Sequence, residues 1–267
     1  MPRSLGPSLA THRALALGLA LLSPILAPLL GAGCGGDDAT TGKRVTLHTT
    51  VTSKPGTYAA RSGWSVELST AKLAVASLHY FDGAPVVEAR LDRIRALLLP
   101  SAHAHPGHYQ EGTAIGQMLV PATVDLLAGS VQLADGDGVT GTLRSARLTL
   151  GAGTGDLAGR VAIVEGTASK DGTPAVHFRL VATPDELQKT AVDGKIEGCP
   201  FAPADVGGDG TVTVTVDPGR WFGFVDFEGV APGTAEAPTE PAATDTARIG
   251  FVLGLGQAPA YGFSYTP

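Results

Sequence analysis

The sequence predicts an all-β protein, an antiparallel β-sandwich of the Ig-like or jelly-roll-like kind with one short helix. Three observations carry that expectation. Helical periodicity is nearly absent after the first 33 residues, and apolar side chains alternate with polar ones in short runs, the pattern of half-buried strands. The chain holds 36 Gly and 19 Pro in 267 residues, high for a helical protein and short of low-complexity disorder. Asp-Gly pairs recur between the runs and supply the positive φ that tight hairpins need.

Composition sets outer bounds on function. With 43% hydrophobic and only 16% charged residues, the chain is not intrinsically disordered and is long enough for one sizeable core. Nineteen basic against 25 acidic residues give a net charge of −6 without any Lys/Arg tract, which excludes a nucleic-acid footprint. Two cysteines exclude a disulfide-dense scaffold and a Cys-rich zinc site. No period of 20–50 residues repeats, so a solenoid or propeller is not expected.

The chain opens on an address. Arg3 and Arg13 precede an apolar run from Ala14 to Leu30, interrupted by Pro24 and Pro28 and ending in Gly31-Ala32-Gly33-Cys34. A basic start, a short apolar stretch and small residues at the exit make a secretory signal. Ending directly at a cysteine, this segment resembles the bacterial lipobox, although Gly31 stands where Leu is usual. The resemblance implies cleavage after residue 33 and a covalent lipid, palmitate included, on Cys34. Residues 34–43, starting with Gly35-Gly36-Asp37-Asp38, then form a tether, and 44–267 a single domain. Used in this way, Cys34 leaves Cys199 without a partner. The localisation implied is the cell envelope, anchored at the outer membrane or its periplasmic face.

Strands are expected in order at Val45–Thr52, Trp64–Phe81, Val86–Leu99, Thr123–Leu127, Ser130–Leu133, Gly141–Leu150, Val161–Ala168 and Ala175–Ala182. Thr211–Val216 follows as Thr-Val-Thr-Val-Thr-Val, a strict period of two, with further runs at Trp221–Phe227, Arg248–Leu253 and Ala260–Tyr265. Asp92–Leu99 could also wind as a helix, because Leu91, Ile94, Leu97 and Leu98 share a face. Asp135-Gly136-Asp137-Gly138, Lys170-Asp171-Gly172 and Gly208-Asp209-Gly210 read as turns. One helix start is marked by Thr183-Pro184-Asp185-Glu186, a capping hydroxyl, a proline at the first helical position and two acids in the first turn. That helix runs two or three turns to a stop at Gly194, and 231–247, rich in Pro, Ala, Thr and Glu, is expected to be an exposed loop.

One cluster carries possible chemistry. His103, His105 and His108 fall within six residues, in Ser101-Ala102-His103-Ala104-His105-Pro106-Gly107-His108-Tyr109, with Glu111 close behind. His103 and His105 share a face of an extended segment, and Pro106-Gly107 can turn His108 back toward them. Three imidazoles and a carboxylate or water suit Cu²⁺, Zn²⁺ or Ni²⁺. The competing reading is a solvated polar loop. Cys199 is a possible additional ligand, its bland alternative being a small buried hydrophobe. His48, His79 and His177 read as structural. Ser69-Thr70-Ala71-Lys72 fits a serine-acylase pattern but lies in an alternating run without its companion motifs.

Beyond the lipobox the chain resembles the β-rich lipoproteins of Gram-negative envelopes, a likeness of composition that assigns no catalytic residues. The expectation is a non-enzymatic, lipid-anchored envelope protein, its partners the membrane and a transition-metal ion. The alternative is a structural, protein-binding or glycan-binding module without metal.

Overall fold

The computed structural model describes residues 42–85 and 111–267. The signal segment, Cys34, most of the tether, the Val86–Leu99 run and the three clustered histidines lie outside the described residues.

The described chain is mostly β, with one large mixed sheet and three helices. In order it runs β1 (Arg44–Ser53), β2 (Tyr58–Ala59), β3 (Ser65–Phe81), β4 (Ala114–Met118), β5 (Ala122–Asp125), β6 (Val131–Gln132), β7 (Gly136–Val139) and β8 (Gly141–Leu150). Then come β9 (Ala162–Lys170), β10 (Thr173–Ala182), α1 (Pro184–Leu187), β11 (Lys195–Val206), β12 (Gly210–Val216), α2 (Pro218–Phe222), α3 (Thr246–Leu255) and β13 (Tyr261–Thr266).

Strand pairing passes from β3 through β4, β7, β1, β12, β13, β11 and β8 and returns to β3. The ring is not a clean barrel, because β11 and β13 meet at a single residue pair, Phe201 and Phe263. It also corrects the antiparallel expectation. β1 and β12 run parallel over seven pairs from Leu47–Gly210 to Ser53–Val216, a pairing that needs a long crossover and that period-two alternation cannot distinguish from an antiparallel one.

β3 is the spine. Its last residues, Val75–Phe81, belong to the ring through β8 and β4, while Ser65–Leu73 leave the ring to pair with β9. β9 in turn carries β10 across a tight hairpin in which Gly172 takes a φ of 72°. The three helices belong to this half. Trp221 of α2 packs on Phe251 of α3 and on Tyr261, with ring centroids 6.1 and 6.5 Å away. Phe178 of β10 meets Phe222 and Phe227 at 6.1 and 4.8 Å. In the ring, Tyr80 meets Phe201 and Phe263 edge-on at 6.1 and 6.2 Å among Leu47, Leu78 and Val214. Both halves share one continuous core.

Several expectations are corrected. Trp221–Phe227 and Arg248–Leu253 are not strands; their segments hold α2 and α3. In α3 the buried residues Ala247, Gly250, Phe251, Gly254 and Leu255 recur at helical spacing. Its two glycines let the helix touch the backbone beside α2. A Cβ on Gly250 would lie 2.2 Å from the Phe224 carbonyl oxygen, and one on Gly254 2.3 Å from that of Trp221. Asp135–Gly138 is not a turn, since Gly136 opens β7 between β1 and β4. α1 keeps the Thr183–Glu186 capping box but spans only four residues.

The 231–247 loop does not hang free. His177 and Arg179 of β10 donate their backbone N–H to Pro232 O (2.6 Å) and Thr239 O (2.8 Å), and Thr239 N–H returns a bond to His177 O (2.9 Å). The strap therefore occupies the outer edge of β10. Glu240 links it to Arg179 and Arg248, each at 3.5 Å.

Candidate functional site

The expected metal cluster belongs to the connection between β3 and β4, whose two described flanks are stitched together. Asp82 N–H donates to Thr113 O (3.2 Å), Gly83 N–H to Glu111 O (3.0 Å), and Thr113 N–H to the Asp82 carboxylate (2.6 Å). These bonds hold Asp82–Gly83 and Glu111–Thr113 side by side.

Glu111 is the one member of the four-residue ligand set that is described. Both its carboxylate oxygens accept from Nη1 of Arg147 on β8, at 2.9 and 2.8 Å. Arg147 in turn lies over the Phe81 ring, 5.3 Å from its centre. Glu111 is thus a held anion. To ligate a metal it would have to exchange or share its partner, and the arrangement suits a supporting role better than a fourth ligand.

Cys199 faces the other way. It pairs in register with Ala146, whose side chain is fully buried, while the next residue on β8 is Arg147. Successive strand residues point to opposite faces, so Cys199 and the Glu111–Arg147 pair lie on opposite sides of the sheet. The Cys199 thiol is fully buried, donates to Ile196 O at 3.3 Å, and is pushed up to about 12 by that burial. A thiol so far from ionising is a poor metal ligand.

The residue that sequence reasoning set aside is His79. Opposite Gln117 on one side and Arg147 on the other, it stacks on Phe81 at 6.4 Å and 15°. Its Nδ1 is buried without a hydrogen-bond partner among the described residues. Desolvation, helped by the Arg147 and Lys195 charges, lowers its pKa and keeps the ring neutral. A histidine one step from an arginine is visible only after β3 and β8 are paired, and no spacing rule in the chain announces it. By contrast His48 contacts Asp135 (2.8 Å) and His177 contacts Thr167 (3.2 Å), both in line with structural roles.

Among the described residues no three His, Cys, Asp or Glu side chains converge as a metal site, and no helix is long and apolar enough to cross a membrane. A cleft of about 440 Å³ opens beside this region, lined by Arg44, Val45, Ile115, Gln117, Asp137 and Val139. Against known proteins the chain matches no family model, no curated protein and no solved structure.

Proposed function

We propose that this is a lipid-anchored envelope protein without enzymatic activity that binds a transition-metal ion, Cu²⁺ or Zn²⁺, through His103, His105 and His108. Cys34 carries the lipid after removal of residues 1–33. Glu111, held by Arg147, supports the site or closes its fourth position by exchange. The observation that carries the reading is the concentration of three imidazoles in six residues of one connection whose flanks are pinned together at Asp82–Gly83 and Glu111–Thr113. Cys199 is left out of this ligand set because of its burial. The domain carrying the site is read as a sandwich-like β-fold, its walls the two sides of the strand ring.

Calorimetric titration with Cu²⁺ and Zn²⁺ of the chain lacking residues 1–33 and carrying Cys34→Ser tests the reading. Binding with a Kd near or below about 1 μM that disappears in the His103/His105/His108→Ala triple variant is expected. Weaker binding, or binding that survives the triple variant, rejects it.

A second reading, a protein-binding module, draws on one observation. Ile249 and Leu253 sit four residues apart on α3 with 44% and 40% of their surface exposed, beside Ala243. Loss of a co-purifying partner on Leu253→Glu would favour it over metal binding.

A further inference from the structure

Strand directions sort the described chain into two ends. Arg44 pairs with Val139 at the start of β1, Phe81 with Ala114 and Ser145, and Val206 with Gly141, so these residues share one end of the ring. The β11–β12 turn and the stitched flanks Gly83 and Glu111 lie there too. The opposite end collects Ser53 beside Val216, the turn around Ser130 between β5 and β6, and the helical half.

The described fold starts at Gly42, on the first of these ends, where Thr140 N–H donates to Lys43 O and Lys43 N–H to the Thr140 hydroxyl. Only seven residues separate Cys34 from Gly42. Even fully extended, the eight steps from Cys34 to Gly42 reach about 28 Å. The ten residues of β1 alone span about 33 Å at strand rise. A tether shorter than the strand it feeds cannot be drawn along the fold to bring the far end down to the anchoring surface.

From this we propose that the end bearing Arg44, Thr140 and the Gly207–Asp209 turn is the membrane-facing surface of the protein, with the helical half directed away from the bilayer. The inference rests on the lipid-anchor reading above.

The chemistry of the two ends fits that orientation. Carboxylates on the near end are engaged locally: Asp82 by Thr113 N–H, Asp209 by Thr46 N–H, Asp205 by the Thr142 hydroxyl and Glu111 by Arg147. It is held near the bilayer by its tether. Among the described residues none of the large exposed hydrophobics lies on it. Leu119 and Val120 follow β4 at the end away from Ala114, Leu127 belongs to the far turn, Val192 follows α1, and Phe224, Ile249 and Leu253 belong to the helical half.

The test uses the full mature protein, acylated at Cys34, in vesicles of phosphatidylcholine and phosphatidylglycerol carrying an acceptor-labelled lipid. A donor is attached through Gly207→Cys in one sample and Ser130→Cys in another. Both positions are exposed, and a Cβ at Gly207 enters open space, while buried Cys199 stays unlabelled. Energy transfer at least twofold more efficient from position 207 than from 130 is expected. Equal transfer, as for a domain lying on its side, or the reverse order overturns the orientation. The Cys34→Ser protein is run in parallel. If it binds vesicles as well as the acylated form, the anchor reading itself is overturned, a result separate from the order of the two reporters.

Discussion

The two ends of this molecule are built on different physics. The helical half is closed by aromatic side chains and by glycines that let α3 lie against the backbone near α2, so its energy sits in tight, fully buried contacts. The opposite end is closed by short strands, Asp and Gly turns and hydrogen bonds from backbone N–H groups to carboxylates. It borders an open cleft. The contrast separates a region that determines stability from one that is free to carry chemistry, because removing a polar surface contact costs far less than opening a core.

The largest effect should come from Trp221→Ala. The residue is fully buried between Phe251 and Tyr261, and its loss should cost about 3–5 kcal/mol in urea unfolding. A loss below about 1 kcal/mol would dissolve the distinction between the ends. Gly254→Ala comes next. Alanine favours helix by about 1 kcal/mol, yet the added methyl would press on the Trp221 carbonyl, so a net destabilisation of about 1–3 kcal/mol is expected, with a gain in stability as the refuting result.

Glu186 offers a comparable effect with a pH signature. Burial alone would raise its pKa, but hydrogen bonds from Arg248, in a two-pronged contact at 2.8 and 3.0 Å, and from Thr183 bring it below its ordinary value. A carboxylate whose folded pKa is depressed contributes stability above its unfolded pKa and loses it as pH falls through the folded one. Unfolding free energy should therefore drop as pH falls below about 4.5. Glu186→Gln, about 1.5–3 kcal/mol less stable near neutrality, should show a shallower drop in that window. An unchanged slope would count against the pair.

His79 sharpens the comparison from the other side. With its folded pKa lowered, it contributes stability above about pH 6.5 that is lost as the unfolded chain takes up the proton on acidification. Imidazole NMR titration should place its midpoint below the ordinary 6.5, and a midpoint above that value would refute the desolvated setting. The smallest change should be Glu111→Gln. Its carboxylate and Arg147 are part-buried, at 24% and 20% exposure, and glutamine keeps one acceptor for the guanidinium, so the loss should be about 1 kcal/mol. Metal affinity should fall by about 10–100-fold, short of its abolition in the triple histidine variant.

Much of the sheet is legible in the sequence because period-two alternation survives translation into a half-buried strand. Thr211–Val216 becomes β12 with every valine buried, and Gly141–Leu150 is β8 as read. β11 is not legible. Gly198, Pro200 and Pro203 break its alternation, and the structure accommodates them with two register shifts against β8. α3 reads as a strand because its Ile, Phe and Val suit β-structure locally, and the close approach that makes its glycines necessary is a tertiary fact. At the candidate site, Glu111 is legible as a carboxylate beside histidines. That it is already claimed by Arg147, 36 residues away along the chain, is not. Cys199 shows the limit most plainly: its neighbours in sequence say nothing of the sheet face it occupies.

If the chain is lipid-anchored as proposed, the strap along β10 has a consequence for it. Proteins confined to two dimensions meet at concentrations no solution reaches, and a bare outermost strand would recruit the same strand of a neighbour. Here the outward N–H groups of His177 and Arg179 are already spent on a segment that carries Pro232, Pro238 and Pro241. Because proline has no N–H to offer in turn, the strap cannot relay the ladder outward at those positions. Polymerisation through this side stops after one added layer, which the molecule supplies itself.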